Sequence, residues 1–393
     1  MPTKNYQYLI VGGGMTADAA VRGIRERDTS GTIAVLSAEK NPPYDRPPLS
    51  KKLWAGKPLD SIWRKTAQAK ADIFLDTHAV SGDVAAKTIT DHRGAVYGYE
   101  KLLLATGGVA RRLPSAPEGV IYFRTLEDYQ RVRALADAKS EFIIIGGGFI
   151  GSEIAASLAA NGCKVTIVFP DSGIGARIYP PKLSEFLNGY FREKGVQVLN
   201  GEKLRTLEKS AARFSVQTES GKTFSADAVV AGIGIETEVS LAKLLGLKID
   251  NGIVVDEQLR ATPHIFAAGD VANFYSPALG VRRRVEHEDN ANTMGAMAGR
   301  NMAGAAEKYQ HLPYFYSDLF DLGYEAVGEF GVDMEIVEDW KQPFRQGVVY
   351  YLKAGRVRGV LLWNTWGQVD AARGLISAQD SVSAAALMGR IHE

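Results

Sequence analysis

Three groups of residues in this 393-residue chain have types and spacing suited to chemistry. The first is glycine. Gly12-Gly13-Gly14-Met15-Thr16-Ala17 and Gly146-Gly147-Gly148-Phe149-Ile150-Gly151 each follow a short apolar run and open a helical period. In such a G-x-G-x-x-G/A pattern the first glycine turns the chain and the second lets backbone N–H groups approach a pyrophosphate. The third, small position lets helix and strand pack closely, and the helix N-terminus faces the phosphates. The second group is acidic: Glu39 and Asp171 lie about two dozen residues further on, where a carboxylate accepts from an adenosine ribose hydroxyl. The third is cationic: Arg46 and Lys51 stand in Pro42-Pro43-Tyr44-Asp45-Arg46-Pro47-Pro48-Leu49-Ser50-Lys51. Its four prolines fix φ and stiffen the segment. One cation then suits a pyrophosphate and the other the electron-accepting edge of a ring; a rigid connection with solvated charges is the plain alternative.

Each glycine cluster needs a strand before it and a strand after its helix. The apolar runs at 8–11 and 142–145 supply the first strands, and 32–36 and 164–169 the second, so a strand–helix–strand unit occurs twice. Two such units imply two dinucleotides, one relaying electrons for the other. Further apolar runs end at Gly107, at Gly234 and at Asp270. A carboxylate at a buried strand end suits a ribityl hydroxyl of a flavin, although Asp270 also reads as a cap for the turn after it. Beyond Pro313, runs at 348–352 and 356–361 flank Lys353-Ala354-Gly355 as a hairpin. From Ala371 to the end the pattern reads as helical.

Composition removes other readings. Lys and Arg total 46 against 45 Asp and Glu, a formal charge of +1, so no global field draws nucleic acid or an anionic membrane. One cysteine, Cys163, allows no internal disulfide, C-x-x-C redox pair or four-cysteine metal site. No apolar run is long enough to span a bilayer. These features predict a cytoplasmic protein without a metal.

The chain resembles the two-dinucleotide flavoproteins of glutathione-reductase type, and within them the apoptosis-inducing factor branch and its bacterial relatives. The marks are Pro43-Tyr44-x-Arg46-Pro47-Pro48-Leu49-Ser50-Lys51, Gly147-Gly148-Phe149-Ile150-Gly151-Ser152-Glu153, Arg283-Arg284-Val285-Glu286-His287, Gly323-Tyr324-Glu325-Ala326 and Leu362-Trp363-Asn364. The resemblance implies an α/β fold with two Rossmann-like dinucleotide-binding domains and an α+β C-terminal interface domain. The expected FAD domain covers 1–116 and 235–312, the NAD(H) domain 117–234, and the interface domain 313–393. FAD is expected at Gly12, Gly13, Gly14, Met15, Thr16, Glu39, Arg46, Lys51, Val80, Arg124, Asp270 and His287. NADH is expected at Gly147, Gly148, Phe149, Ile150, Gly151, Asp171, Arg177, Gly234, Glu286 and Glu325. Lys51 and Glu153 match a lysine–glutamate pair beside the flavin, with Phe149 on the nicotinamide side, and these three form the expected catalytic set. Asp171 favours NADH over NADPH by repelling a 2′-phosphate, whereas Arg177 is a residue that accommodates one.

The chain also departs from the branch. Glu288 replaces the second of two histidines of animal members and would oppose negative charge on a reduced flavin. Tyr316 stands at a tryptophan position. A long insertion of the animal C-terminal domain is missing between Val337 and Gly347, and Val254 and Thr262 replace dimer arginines. Leu312-Pro313-Tyr314-Phe315-Tyr316-Ser317 is similar to monodehydroascorbate reductases, and the Arg-Pro-Pro-Leu-Ser segment to ferredoxin and rubredoxin reductases. The expected function is therefore hydride transfer from NADH to FAD and onward to an acceptor, protein or small molecule, with a homodimer as one possibility. The alternatives are ferredoxin, rubredoxin or monodehydroascorbate reduction, or an NADH-responsive sensor whose assembly state changes on reduction.

Overall fold

A computed structural model describes residues 3–210 and 213–391. The chain divides into two compact units. One contains residues 1–45, 60–109 and 236–314; the other contains 46–59, 110–235 and 315–393.

The first unit is built on a seven-stranded sheet. The strand Lys4–Val11 lies between Ile33–Leu36 and Val96–Leu104, parallel to both. Asp72–Phe74 extends one side and Ile265–Ala267 the other, again in parallel. The first half of Val96–Leu104 also pairs antiparallel with Thr88–Asp91, which pairs with Ala79–Asp83. Leu9, Ile10, Ala34, Val35, Leu102 and Leu103 are fully buried, the continuous apolar pattern of a parallel sheet covered on both faces. The helix Met15–Arg25 crosses Glu288–Met302 closely because small residues line the contact. A Cβ on Gly23 would strike the carbonyl of Ala296, and one on Gly299 that of Ala20.

The second unit repeats the pattern. Its five parallel strands run in the order Gln197–Asn200, Val165–Phe169, Phe142–Ile145, Ala228–Ala231, Ile121–Tyr122. The helix Phe149–Ala160 follows the glycine turn between Phe142–Ile145 and Val165–Phe169. A three-stranded antiparallel sheet, Leu204–Ser210, Arg213–Thr218 and Thr223–Ala226, accompanies it. The C-terminal part is a five-stranded sheet in the order Tyr314–Leu319, Leu322–Gly328, Arg356–Trp363, Gln346–Lys353, Glu335–Gln342. The expected hairpin is its Gln346–Lys353 and Arg356–Trp363 pair.

The reading of a helix from Ala371 to the end is corrected. Val369–Ser377 is helical, but Ser381 bridges to Arg356 in extended backbone, and only Ala384–Leu387 returns to helix. Ser383 caps that last turn by accepting from the Ala386 N–H, a local bond that competes with continued helix.

Candidate functional site

In the first unit the glycine turn forms an open cradle. Gly12 has φ of +124°, and a Cβ there would strike the Ala105 carbonyl. One on Gly13 would strike Ser37, whereas Gly14 faces empty space. Met15 and Thr16 start the helix, whose N-cap Gly14 supplies no side chain to its first N–H groups. A Cβ on Gly269 would meet the Thr16 hydroxyl, which sets the Gly269–Val271 turn bearing Asp270 against the helix start. Glu39 accepts from the Tyr44 hydroxyl at 2.6 Å. Val80 is exposed. His287 precedes the helix Glu288–Met302, with Glu288 as its first residue, and Glu286 pairs with Arg284 at 2.5 Å. Burial pushes His287 down to about 3, Arg283 adds to the shift, and Asp289 opposes it.

Beneath this cradle lies a network that sequence reasoning missed. Buried Asp18 accepts from Arg22 Nε at 2.9 Å, Arg64 Nε at 2.8 Å and Thr66 Oγ1 at 2.7 Å. Arg64 also reaches Asp45 at 2.6 Å and Asn292 at 2.8 Å. Burial alone would raise the Asp18 pKa, but the donors outweigh it and the net shift is downward. The glycine-turn helix, the helix Glu288–Met302 and the entry to the proline-rich segment are thereby tied through one guanidinium.

The second unit carries the same cradle. Gly146 has φ of +114°, a Cβ on Gly147 would sit 2.7 Å from the Phe169 ring, and Gly148 faces empty space. Gly151 packs so closely on Gly146 that a Cβ would strike its carbonyl. Phe149 and Ile150, each 38% exposed, begin the helix. Asp171 lies two residues past the end of the following strand and stands 3.5 Å from Arg177, which is 81% exposed. Gly234 accepts from the Arg111 N–H at 3.0 Å.

The proline-rich segment packs onto the Phe149 helix. Pro47–Ser50 form one 3-10 turn, Ser157 Oγ donates to the Ser50 carbonyl at 2.8 Å, and Trp54 Nε1 closes the turn on the Leu49 carbonyl at 2.8 Å. Arg46 Nη1 donates to the Arg124 carbonyl at 3.1 Å. Lys51 Nζ meets Glu153 Oε2 at 2.8 Å, with side-chain exposures of 8% and 3%. Ser50 Oγ donates to the same oxygen at 2.6 Å, and Ser317 Oγ to Glu153 Oε1 at 2.6 Å. Lys51 Nζ also lies 5.2 Å from the Tyr316 ring centroid, within cation–π range. Phe149 packs against Phe315 at 5.3 Å, and Glu325 accepts from the Gly367 N–H at 3.0 Å. Lys51, Glu153 and Tyr316 thus come together directly, with Phe149 reaching the same strand through Phe315. The two serines were not expected; Ser50 had only its place beside Lys51 as a signal.

Two Cβ-free cradles, each at a helix N-terminus after a parallel strand, fit dinucleotide phosphates. One buried, lysine-neutralised carboxylate fits the edge of a redox ring. Among the described residues no cluster of three or more His, Cys, Asp or Glu is placed to hold a metal ion, and no helix is long and apolar enough to cross a membrane.

Fold and cradles define a flavoprotein oxidoreductase with two dinucleotides. Residues 6–295 match the family model of pyridine nucleotide-disulphide oxidoreductases, and the chain belongs to that family. Residues 332–378 match the C-terminal domain model of mitochondrion-associated apoptosis-inducing factor. The chain is 32% identical to Apoptosis-inducing factor 1, mitochondrial, of Dictyostelium discoideum, over 95% of this chain and 78% of that protein. It is also 32% identical to Monodehydroascorbate reductase 3 of Arabidopsis thaliana, covering 91% of this chain and 89% of the other. Identity is again 32% with the ferredoxin–NAD(+) reductase component of the anthranilate 1,2-dioxygenase system of Burkholderia cepacia, over 94% of each. Among solved structures, the putidaredoxin reductase–putidaredoxin complex superposes with a TM-score of 0.89 at 28% identity, covering 98% of this chain and 95% of that one. The chain is an FAD-dependent NAD(P)H oxidoreductase using FAD and NAD(H), and the expected fold class holds. The disulphide in the family description has no counterpart here, since the lone Cys163 is buried.

Proposed function

We propose that the protein oxidises NADH and delivers the electrons to a ferredoxin-type or small-molecule acceptor. The observation that carries this reading is the buried Lys51–Glu153 pair set beside Tyr316. In this reading residues 1–116 and 235–312 hold FAD, 117–234 hold NADH, and 313–393 form the interface domain. The Gly12–Thr16 turn takes the FAD pyrophosphate, Glu39 and Val80 its adenosine end, and Arg46, Arg124, Asp270 and His287 its remaining polar contacts. The Gly147–Gly151 turn, Asp171, Arg177, Gly234, Glu286 and Glu325 take NADH. FAD, when bound, supplies hydride acceptance and electron release.

The chain contributes orientation and electrostatics. Phe149 orients the nicotinamide. Glu153 is satisfied by three donors, so it holds Lys51 in one position, and the ammonium stabilises negative charge that develops next to it. Asp171 selects NADH because a 2′-phosphate beside it meets a carboxylate. With no cysteine pair to relay electrons, the acceptor receives them without a dithiol step.

We also read the protein as cytoplasmic, in keeping with its single buried cysteine, and as a homodimer through the C-terminal domain. The second reading, an NADH-responsive sensor, is favoured by Glu288 at the start of its helix, where its charge changes the response to reduction. An acceptor panel of ferredoxin, rubredoxin, monodehydroascorbate, quinone and oxygen tests the enzyme reading. Rapid reoxidation of NADH-reduced protein by one acceptor, with unchanged sedimentation, supports it. Negligible turnover with every acceptor and a mass shift on reduction supports the sensor instead.

A further inference from the structure

Asp318 follows Ser317 on the strand Tyr314–Leu319 and shares a strand face with Tyr316. It is half-buried, and among the described residues its carboxylate forms no hydrogen bond and no ion pair. The contrast with neighbouring Glu153 is sharp, since that carboxylate accepts from Lys51, Ser50 and Ser317. A carboxylate withdrawn from water without a donor is costly to keep charged, and such groups concentrate at functional sites. The charges that reach Asp318 are Lys51 and Lys52 from the segment after the 3-10 turn, and Glu153 from the Phe149 helix. Lys51 is already committed to Glu153 at 2.8 Å and lies over Tyr316, and Lys52 is exposed. Lys51 is thus paired with Glu153 and acts on Asp318 only through its field. Burial raises the Asp318 pKa, Lys51 and Lys52 pull it back, and Glu153 raises it further. Any negative charge placed beside Lys51 weakens the pull that keeps Asp318 ionised.

We propose that Asp318 is the proton-accepting group of the Lys51 site: when transfer of a hydride adds one negative charge beside Lys51, Asp318 binds one proton from solvent and the net charge of the cluster is preserved. One O–H bond forms at the carboxylate on reduction and breaks when the electrons leave, the proton returning to water. Asp318 donates no electrons, which come from the nicotinamide of the established activity. This inference rests on the reading that Lys51 faces the flavin.

The test counts protons taken up per two electrons when the FAD-loaded protein is reduced anaerobically with dithionite in dilute indicator dye. Wild type takes up one proton more than Asp318→Asn, Asp318→Glu restores the extra proton, and the wild-type excess disappears as pH rises. In the infrared difference spectrum, a protonated-carboxyl band appears on reduction of wild type and is absent from Asp318→Asn. Equal proton counts in wild type and Asp318→Asn overturn the proposal, as does a wild-type excess over Asp318→Asn that does not change between about pH 5 and 9. Failure of the underlying reading is seen separately: an unchanged rate of flavin reduction by NADH in Lys51→Gln removes Lys51 from the site, whatever the proton count.

Discussion

Lys51 Nζ and Glu153 Oε2 meet at 2.8 Å with both side chains nearly sealed from solvent. Such a pair is expensive to break from one side, because the remaining charge stays buried. Lys51→Met is expected to cost about 3 kcal/mol of stability and to slow flavin reduction by NADH by about a hundredfold. Stopped-flow absorbance of the FAD-loaded variant, with urea unfolding alongside, measures both. A reduction rate equal to wild type refutes the assigned role.

The second glycine turn separates folding from binding within two adjacent residues. A methyl on Gly147 presses on the Phe169 ring, whereas a methyl on Gly148 enters empty space. Gly147→Ala should destabilise by about 1–3 kcal/mol. Gly148→Ala should leave stability within about 0.5 kcal/mol yet weaken NADH about tenfold or more, since the space it fills is where a pyrophosphate approaches. Thermal melts and NADH titrations distinguish the two, and an unaltered NADH affinity in Gly148→Ala removes the turn from the cofactor site.

His287 has a pH signature. Its folded pKa of about 3 lies below the ordinary 6.5, so between these values the unfolded chain binds a proton that the folded chain refuses. Stability from this group therefore rises with pH through the window from about 3 to 6.5 and is fully present above it. Melting temperatures of wild type and His287→Gln should diverge as pH rises from about 4 to 7. A difference that stays constant with pH contradicts the assignment.

Asp171 stands 3.5 Å from Arg177. Asp171→Ala removes the repulsion toward a 2′-phosphate and releases an exposed arginine to meet it. The ratio of kcat/KM for NADPH to that for NADH should rise by at least about tenfold, and Asp171→Ala/Arg177→Ala should lose most of that gain. If the single variant keeps the wild-type ratio, the adenosine ribose binds elsewhere.

Both strand–glycine–helix units were legible because a buried parallel strand and an amphipathic helix leave periodic patterns, and the glycines mark where they join. The side chains of the Lys51 site were less so. Lys51 stood out in a stiff proline segment, but Glu153 sits in a mostly apolar helix and only the family resemblance marked it. Ser50, Ser317 and Asp318 gave no local signal, since a serine donor is recognised only when the acceptor is known. Asp18 gave no signal either, since an acid in a first helical turn is ordinary; its bonds to Arg64 and Thr66 span 46 and 48 positions. The three-stranded sheet of Leu204–Ser210, Arg213–Thr218 and Thr223–Ala226 was overlooked because its exposed positions carry charged and hydroxyl residues that interrupt any apolar run.

The donors to Glu153 come from positions 50, 51 and 317, and the three segments of the second unit lie between and after those of the first. No single cut therefore releases either unit whole. During synthesis Glu153 can acquire Lys51 early, but Ser317 leaves the ribosome more than 160 residues later. A nascent chain arrested before Ser317 therefore lacks the last donor to Glu153 and should be unable to present Lys51 in its finished setting.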